Sequence, residues 1–155
     1  EFRRVLFRSP QVVLAASPPP SAQVGEVEAL VKKAAAEIAQ KGTGAFAEFR
    51  KKDSAWFHGD TYIFAYNQDG VVLLNPAFPE NEGTNALTGN TARGVINPQA
   101  YSKEFFETVK TKGEGWVGYM YTRPGTTAPT MKWSFVKGVL IDGKMGLVGA
   151  GFYPK

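Results

Sequence analysis

Cysteine is absent from the 155-residue chain. That gap removes disulfide staples, thiolate nucleophiles and every cysteine-based zinc site. Histidine occurs once, as His58, so two imidazoles of one chain cannot share a metal, and no metal site or cofactor is expected. No apolar run approaches the roughly 20 residues that cross a bilayer, and no membrane span is expected. A strong excess of one charge is missing too. The formal net charge is +4, from 18 Lys and Arg against 14 Asp and Glu.

Part of that charge sits at the very start. Residues 3–9, RRVLFRS, resemble the conceptual translation of a common sequencing adapter. Residues 1–9 are therefore read as an assembly scar and set aside as a tag would be; the other reading is an exposed basic arm. Without their three Arg and one Glu, 15 basic residues face 13 acidic ones, a net charge of +2. Spread along the chain, that is no nucleic-acid footprint. Residues 11–23, QVVLAASPPPSAQ, read either as the truncated end of an export signal or as a disordered Pro-rich leader. Residues 10–25 are assigned to that leader and residues 26–155 to one domain, the expected count for this length.

What is present is ordinary globular composition with many rings: 43% apolar residues, 11 Phe, 6 Tyr and 3 Trp. Residues 26–41 carry Val27, Leu30, Val31, Ala34 and Ile38 near helical spacing, with Glu26 and Glu28 in the expected first turn and Lys41-Gly42 at the stop. Thr43 is placed to cap a second short helix that ends near Asp53. Residues 60–66 alternate and are followed by Asp69-Gly70 and the run 71–74, a hairpin pattern. A loop rich in Asn, Gly and Pro follows. Asn97-Pro98 then opens a helix bearing Tyr101, Phe105, Phe106 and Val109 that stops at Gly113. Residues 116–122, 131–141 and 145–153 read as a three-strand meander, with Asp142-Gly143 in its second turn. Five strands with short connections, an N-terminal helix and a helix-bearing crossover give an α+β fold with an antiparallel sheet.

Catalytic constellations are sparse. His58 lies beside Asp60, and Ser54 or Ser134 would be the nucleophile of a small hydrolase, but no nucleophile-elbow sequence accompanies them. Gly149-Ala150-Gly151 leaves only four residues to the terminus, so no helix follows to receive a phosphate; the glycines fit a closely packed strand. The strands are more informative. Alternation puts Val117, Tyr119 and Tyr121 on one face and Trp116 on the other. Tyr62, Phe64 and Tyr66 share a face, as do Lys132 and Ser134. Two readings of Lys132 stay open: an exposed lysine on a solvated sheet face, or an anion anchor in a pocket shaped by Tyr and Trp.

These residues, taken with their neighbours, resemble a known family. In order along the chain stand Gly59-Asp60-Thr61-Tyr62-Ile63-Phe64, then Asp69-Gly70-Val71-Val72-Leu73-Leu74-Asn75-Pro76, then Gly83-Thr84-Asn85. After them come Gly113-Glu114-Gly115-Trp116-Val117-Gly118-Tyr119, Lys132-Trp133-Ser134-Phe135-Val136 and Gly149-Ala150-Gly151-Phe152-Tyr153. Over about residues 26–153 the chain resembles a single Cache domain, the extracytoplasmic small-molecule sensor module of bacterial chemoreceptors and histidine kinases. The resemblance implies a PAS-like five-stranded antiparallel sheet with a long N-terminal helix on one face and a ligand pocket on the other. It implies a non-enzymatic, periplasmic or extracytoplasmic sensor of a small organic acid, signalling through a protein partner. By position, the implied ligand-binding residues are Tyr62, Phe64, Asn75, Trp116, Tyr119, Tyr121, Lys132 and Ser134. Asn75 stands where the family often has His; Asn cannot be cationic, which favours a monocarboxylate or a polar neutral ligand over a dianion. A free-standing exported protein is the preferred context, with a fragment of a chemoreceptor or histidine kinase as the alternative.

Overall fold

The computed structural model describes residues 13–14, 16–89 and 98–155. The expected scar at residues 1–9 and the expected cap Asn97 lie outside the described residues. Helix α1 (Ala22–Lys41) starts at Ser21, whose extended backbone and Oγ, accepting the Gln23 N–H at 3.1 Å, form an N-cap. The helix therefore begins four residues before the expected position. Glu26 and Glu28 fall in its second turn, and the first turn holds no acid. Val27, Val31, Ala34, Ala35 and Ile38 form the buried stripe.

A 3₁₀ turn (Gly42–Ala45) and the single-turn helix α2 (Phe46–Phe49) follow. Thr43 does not cap α2. It lies inside the 3₁₀ turn, and its N–H and hydroxyl both donate to the Asp142 carboxylate, at 3.3 and 3.2 Å. The Asp142-Gly143 turn thus takes the polar group the cap would have used, and α2 stops at Phe49 rather than near Asp53.

The expected continuous strand 60–66 is broken at Ile63. Strand β2 (Phe57–His58) pairs with β3 (Thr61–Tyr62) as a small hairpin of its own. Strand β4 (Phe64–Tyr66) then joins the main sheet beside β5 (Val72–Leu74). At Thr61 the side-chain hydroxyl, not a ladder amide, reaches the Gly151 carbonyl at 3.0 Å. Helix α3 (Pro98–Lys112) leads into β6 (Glu114–Thr122), β7 (Pro129–Ile141) and β8 (Lys144–Phe152). Asp142 and Gly143 both have positive φ, 52° and 87°, as a two-residue type I′ hairpin requires.

All pairings are antiparallel, and the order is β1–β6–β7–β8–β4–β5, where β1 is the two-residue strand Val13–Leu14. Each of the five expected strands contributes to the main sheet, the first only through β4, and β1 adds a short sixth at the free edge of β6. Helix α1 packs across β7 and β8, and α3 packs on β6 from the other side. One sheet face meets α1 through Ile63, Ala65, Trp133, Phe135, Val148, Ala150 and Phe152. The opposite face meets α3 and the loop after β5 through Tyr62, Phe64, Tyr66, Val117, Tyr119, Tyr121 and Val136. The period of two along each strand produces this division.

Candidate ligand-binding site

On the α3 side, Lys132 is the one lysine sunk into the sheet, with 1% of its surface exposed. Strand alternation points it away from α1, and the antiparallel register sets it opposite Tyr119 on β6. Space for its stem comes from β8. A Cβ at Gly151 would lie 2.8 Å from Lys132 Cε, 2.6 Å from the Trp133 carbonyl, and in collision with Ser134 Oγ. Gly151 therefore has no side chain because the site occupies the position one would take.

Lys132 Nζ lies 4.5 Å from the ring centroid of Tyr62, 4.7 Å from Tyr121, 5.4 Å from Phe64 and 5.6 Å from Tyr153. Its one hydrogen-bonding partner among the described residues is the Tyr62 hydroxyl, at 3.2 Å. None of their carboxylates forms an ion pair with it; Asp60, at the rim, is instead held by Arg123 at 3.0 Å. Burial therefore pulls the Lys132 ammonium down to a pKa of about 7, with the Asp60 charge opposing only in part. Burial pushes the phenols of Tyr62, Tyr101 and Tyr119 well above their ordinary range, and it raises Tyr66, Tyr121 and Tyr153 as well. The surrounding hydroxyls are thus neutral donors at physiological pH.

A polar floor completes the site. The Tyr119 and Ser134 hydroxyls share a hydrogen bond of 2.9 Å, and Asn75 Nδ2 donates to the Tyr121 hydroxyl at 3.3 Å. Asn75 is fixed from both sides: its Oδ1 accepts the Phe78 N–H at 3.0 Å, and its N–H donates to Glu82 at 2.8 Å. Arg50 donates to the same carboxylate through Nη1 and Nη2, at 2.7 and 2.9 Å. Partial burial works to raise the Glu82 carboxyl, but the Arg50 fork and the Asn75 N–H outweigh it and hold the group below its usual range. Asn81 adds a polar contact to Tyr121, while its own Oδ1 is buried without a partner among the described residues.

Tyr62, Phe64, Tyr66, Asn75, Tyr101, Tyr119, Tyr121 and Lys132 enclose a space of about 10 Å³, near the size that admits one water. Six of the eight sequence-derived site residues line it, and Ser134 supports it through Tyr119. Trp116 does not belong to this cluster. Its ring packs on Phe135 and Phe152 and donates to Glu28 of α1 at 2.7 Å, on the far side of the sheet. Its neighbours alternate across the strand, and the same alternation carries it away. Tyr66, Tyr101 and Tyr153 complete the ring wall. Tyr66 was readable from its alternation with Tyr62 and Phe64. Tyr101 stacks on Tyr119 at 4.6 Å from a helical stripe that looks like ordinary core.

The hydrolase constellation is not assembled. His58 is exposed on β2, paired through its strand with Thr61, and its imidazole makes no hydrogen bond or ion pair among the described residues. Ser54 Oγ donates to the Lys51 carbonyl at 2.6 Å, Asp60 pairs with Arg123, and Ser134 is fully buried against Tyr119.

Residues 27–153 match the model of a family described as Cache domain. Solved structures share the fold. A periplasmic sensor domain of a chemotaxis protein is 24% identical with a TM-score of 0.61, covering 86% of this chain and 92% of that one. A Cache chemosensory domain studied for carboxylic acid recognition is 22% identical with a TM-score of 0.64, covering 86% and 95%. A methyl-accepting chemotaxis protein from Vibrio parahaemolyticus RIMD 2210633 is 17% identical with a TM-score of 0.62, covering 85% and 88%. No curated protein matches the chain. No helix among the described residues is long and apolar enough to cross a membrane.

Proposed function

The chain belongs to the Cache domain family, and on that premise we propose that it is a non-enzymatic, extracytoplasmic sensor module that binds a small monocarboxylate beside Lys132 and signals through a protein partner. The observation that carries this reading is a buried lysine ringed by aromatic faces with no carboxylate of the described chain to neutralise it. A desolvated ammonium is costly unless an anion compensates it. A ligand carboxylate supplies that compensation, and a charge-assisted hydrogen bond of this kind contributes roughly 1.5–3 kcal/mol.

The remaining groups suit one small acid. Tyr62 and Tyr121 have hydroxyls directed at the same space, while Phe64 and Tyr101 supply apolar walls for a short carbon chain. Asn75 and Asn81 bring polarity without positive charge, so a second ligand carboxylate would find no cation there. Binding requires the loop after β5 and α3 to move outward, because the enclosed space is smaller than any organic acid. Carboxylic acid recognition by one neighbour of the same fold supports the ligand class. Trp116 has no part in the proposed site. The reading of a leader before the sensor domain is retained as part of the proposal for the residues ahead of α1, with the domain taken to include the helix from Ala22.

A thermal-shift screen of acetate, propionate, lactate, pyruvate, amino acids and amines tests the proposal. A ligand that binds only the native state adds roughly 2.7 kcal/mol at 100 times its Kd. Stabilisation by a monocarboxylate that disappears in Lys132→Met is the expected result. Stabilisation by amines alone, or by no compound in the panel, contradicts the reading.

A further inference from the structure

The charge state of Lys132 ties this site to pH. Resting on the carboxylate reading above, we propose that the site takes up a proton together with its ligand: the arriving carboxylate draws one from the solvent onto Lys132 Nζ.

The geometry leaves the amine few ways to hold a charge alone. An ammonium has three donors to satisfy, and the described residues give Nζ one hydroxyl, that of Tyr62, plus ring faces. Ring faces attract a cation only weakly and do not offset the cost of taking an ion out of water. The nearby acid on the β3 side, Asp60, pairs with Arg123 at 3.0 Å, and its charge offsets the burial of Lys132 only in part. Glu82, behind the loop after β5, is committed to Arg50. No carboxylate of the described residues lines the cavity itself.

Nothing else in the cavity competes for the proton. Tyr62 from β3, Tyr66 from β4, Tyr101 from α3, and Tyr119 and Tyr121 from β6 are all pushed upward by burial, as is Tyr153 after β8. They stay protonated throughout the neutral range and cannot donate one. The Lys132 ammonium, held down to a pKa of about 7 by the same burial, is the wall group that titrates there. With a carboxylate against it, the paired ammonium is favoured and its pKa rises. Below pH 7 the lysine is already charged, and binding moves no proton. Above pH 7 each binding event brings one proton from the buffer to Nζ.

The sign is fixed: affinity is greatest in mild acid and falls as pH rises. The apparent Kd is the intrinsic Kd divided by the competent fraction. With the amine about nine-tenths charged at pH 6 and one-tenth at pH 8, the Kd should rise about tenfold across that interval.

Calorimetric titration with propionate at pH 6, 7 and 8, each in two buffers of different ionisation enthalpy, reads both quantities. The expected outcome is a roughly tenfold rise in Kd from pH 6 to 8, with proton uptake climbing from near zero to near one. Lys132→Arg, charged at every pH used, should flatten the profile, whereas His58→Gln should keep the slope, since His58 is exposed outside the cavity. In the ligand-free protein, the Lys132 Cε resonance, assigned by its loss in Lys132→Arg, should titrate near pH 7. Propionate binding with a flat Kd and no proton uptake overturns the coupling and leaves the carboxylate site standing. Failure of propionate, acetate, lactate and pyruvate to bind at pH 6 overturns both.

Discussion

On the α1 side of the sheet, β7 presents Trp133 and Phe135 to Val31, Ala34 and Ile38. One residue out of phase, on the α3 side, the same strand presents Lys132 and Ser134 to a wall of tyrosines. The two pairs are equally removed from water, Phe135 at 4% exposure and Lys132 at 1%. Burial alone therefore does not distinguish core from site. The α1 face meets its helix chiefly through carbon, with the Trp116–Glu28 hydrogen bond as a polar contact beside it. The α3 face holds hydroxyls, amides and an amine, bonded to one another around a small space. A face designed only for stability would fill the Lys132 position with an apolar side chain, because a buried charge destabilises unless it is compensated. Retaining the polar set costs stability, and the proposed ligand recognition would account for that cost.

The largest expected effect breaks the comparison from the carbon side. Phe135→Ala should lower unfolding free energy by roughly 3–5 kcal/mol, since it removes a ring packed on Trp116 and under α1. Chemical denaturation measures it. Carboxylate affinity of the folded fraction should be unchanged; a parallel loss of affinity would show that the two faces are not separable.

Lys132→Met sharpens the comparison from the other side. Affinity for propionate should fall about 10- to 150-fold at neutral pH, from the loss of one charge-assisted bond. Stability should stay level or rise. The pH dependence carries the sign. The folded-state pKa, about 7, lies below the unfolded value, so the unfolded chain binds more protons between the two. Wild-type stability should therefore climb as pH rises from about 7 towards 10. In Lys132→Met that climb should vanish; denaturation midpoints at pH 7 and 9.5 decide it.

A smaller effect tests what holds the loop over the site. Glu82→Gln should cost up to about 1 kcal/mol, because the Arg50–Glu82 pair is partly exposed. The folded pKa of Glu82 is lowered, so its contribution is full above the unfolded value near 4.3 and is lost as pH falls through the folded value. The stability gap between wild type and Glu82→Gln should accordingly shrink from pH 6 to pH 3. Deleting residues 1–9 should change the least. A melting temperature within error is expected, and a loss of several degrees would give that segment a structural role.

Much of this division was legible in the sequence because strands alternate with a period of two. That period placed Tyr62 with Phe64, Tyr119 with Tyr121, and Lys132 with Ser134 before any contact was known. It also put Trp116 on the opposite face from Tyr119, although the family resemblance grouped the two. The Asp142-Gly143 turn was legible because two consecutive positive φ values demand such residues. Other parts were not. The start of α1 was hidden by Gly25 and by the prolines before Ser21, where one side-chain bond to Gln23 sets the boundary. The break at Ile63 depends on β2, a two-residue strand too short to leave a pattern. Tyr101 enters the site from a helix whose 3.6-residue stripe looks the same whether it meets core or cavity. Asn81 ends a short 3₁₀ turn, Pro79–Asn81, in a polar stretch, and only its burial distinguishes it from its neighbours.

The central claim is that Lys132 receives a carboxylate. A crystal structure of the protein grown with propionate tests it most directly. The expected result is a carboxylate oxygen roughly 2.7–2.9 Å from Lys132 Nζ, with the Tyr101 and Phe78 side of the cavity displaced outward. Propionate seated elsewhere, for instance in the groove between Gln23, Glu26, His58 and Asp60, with Lys132 still closed on Tyr62, would contradict it.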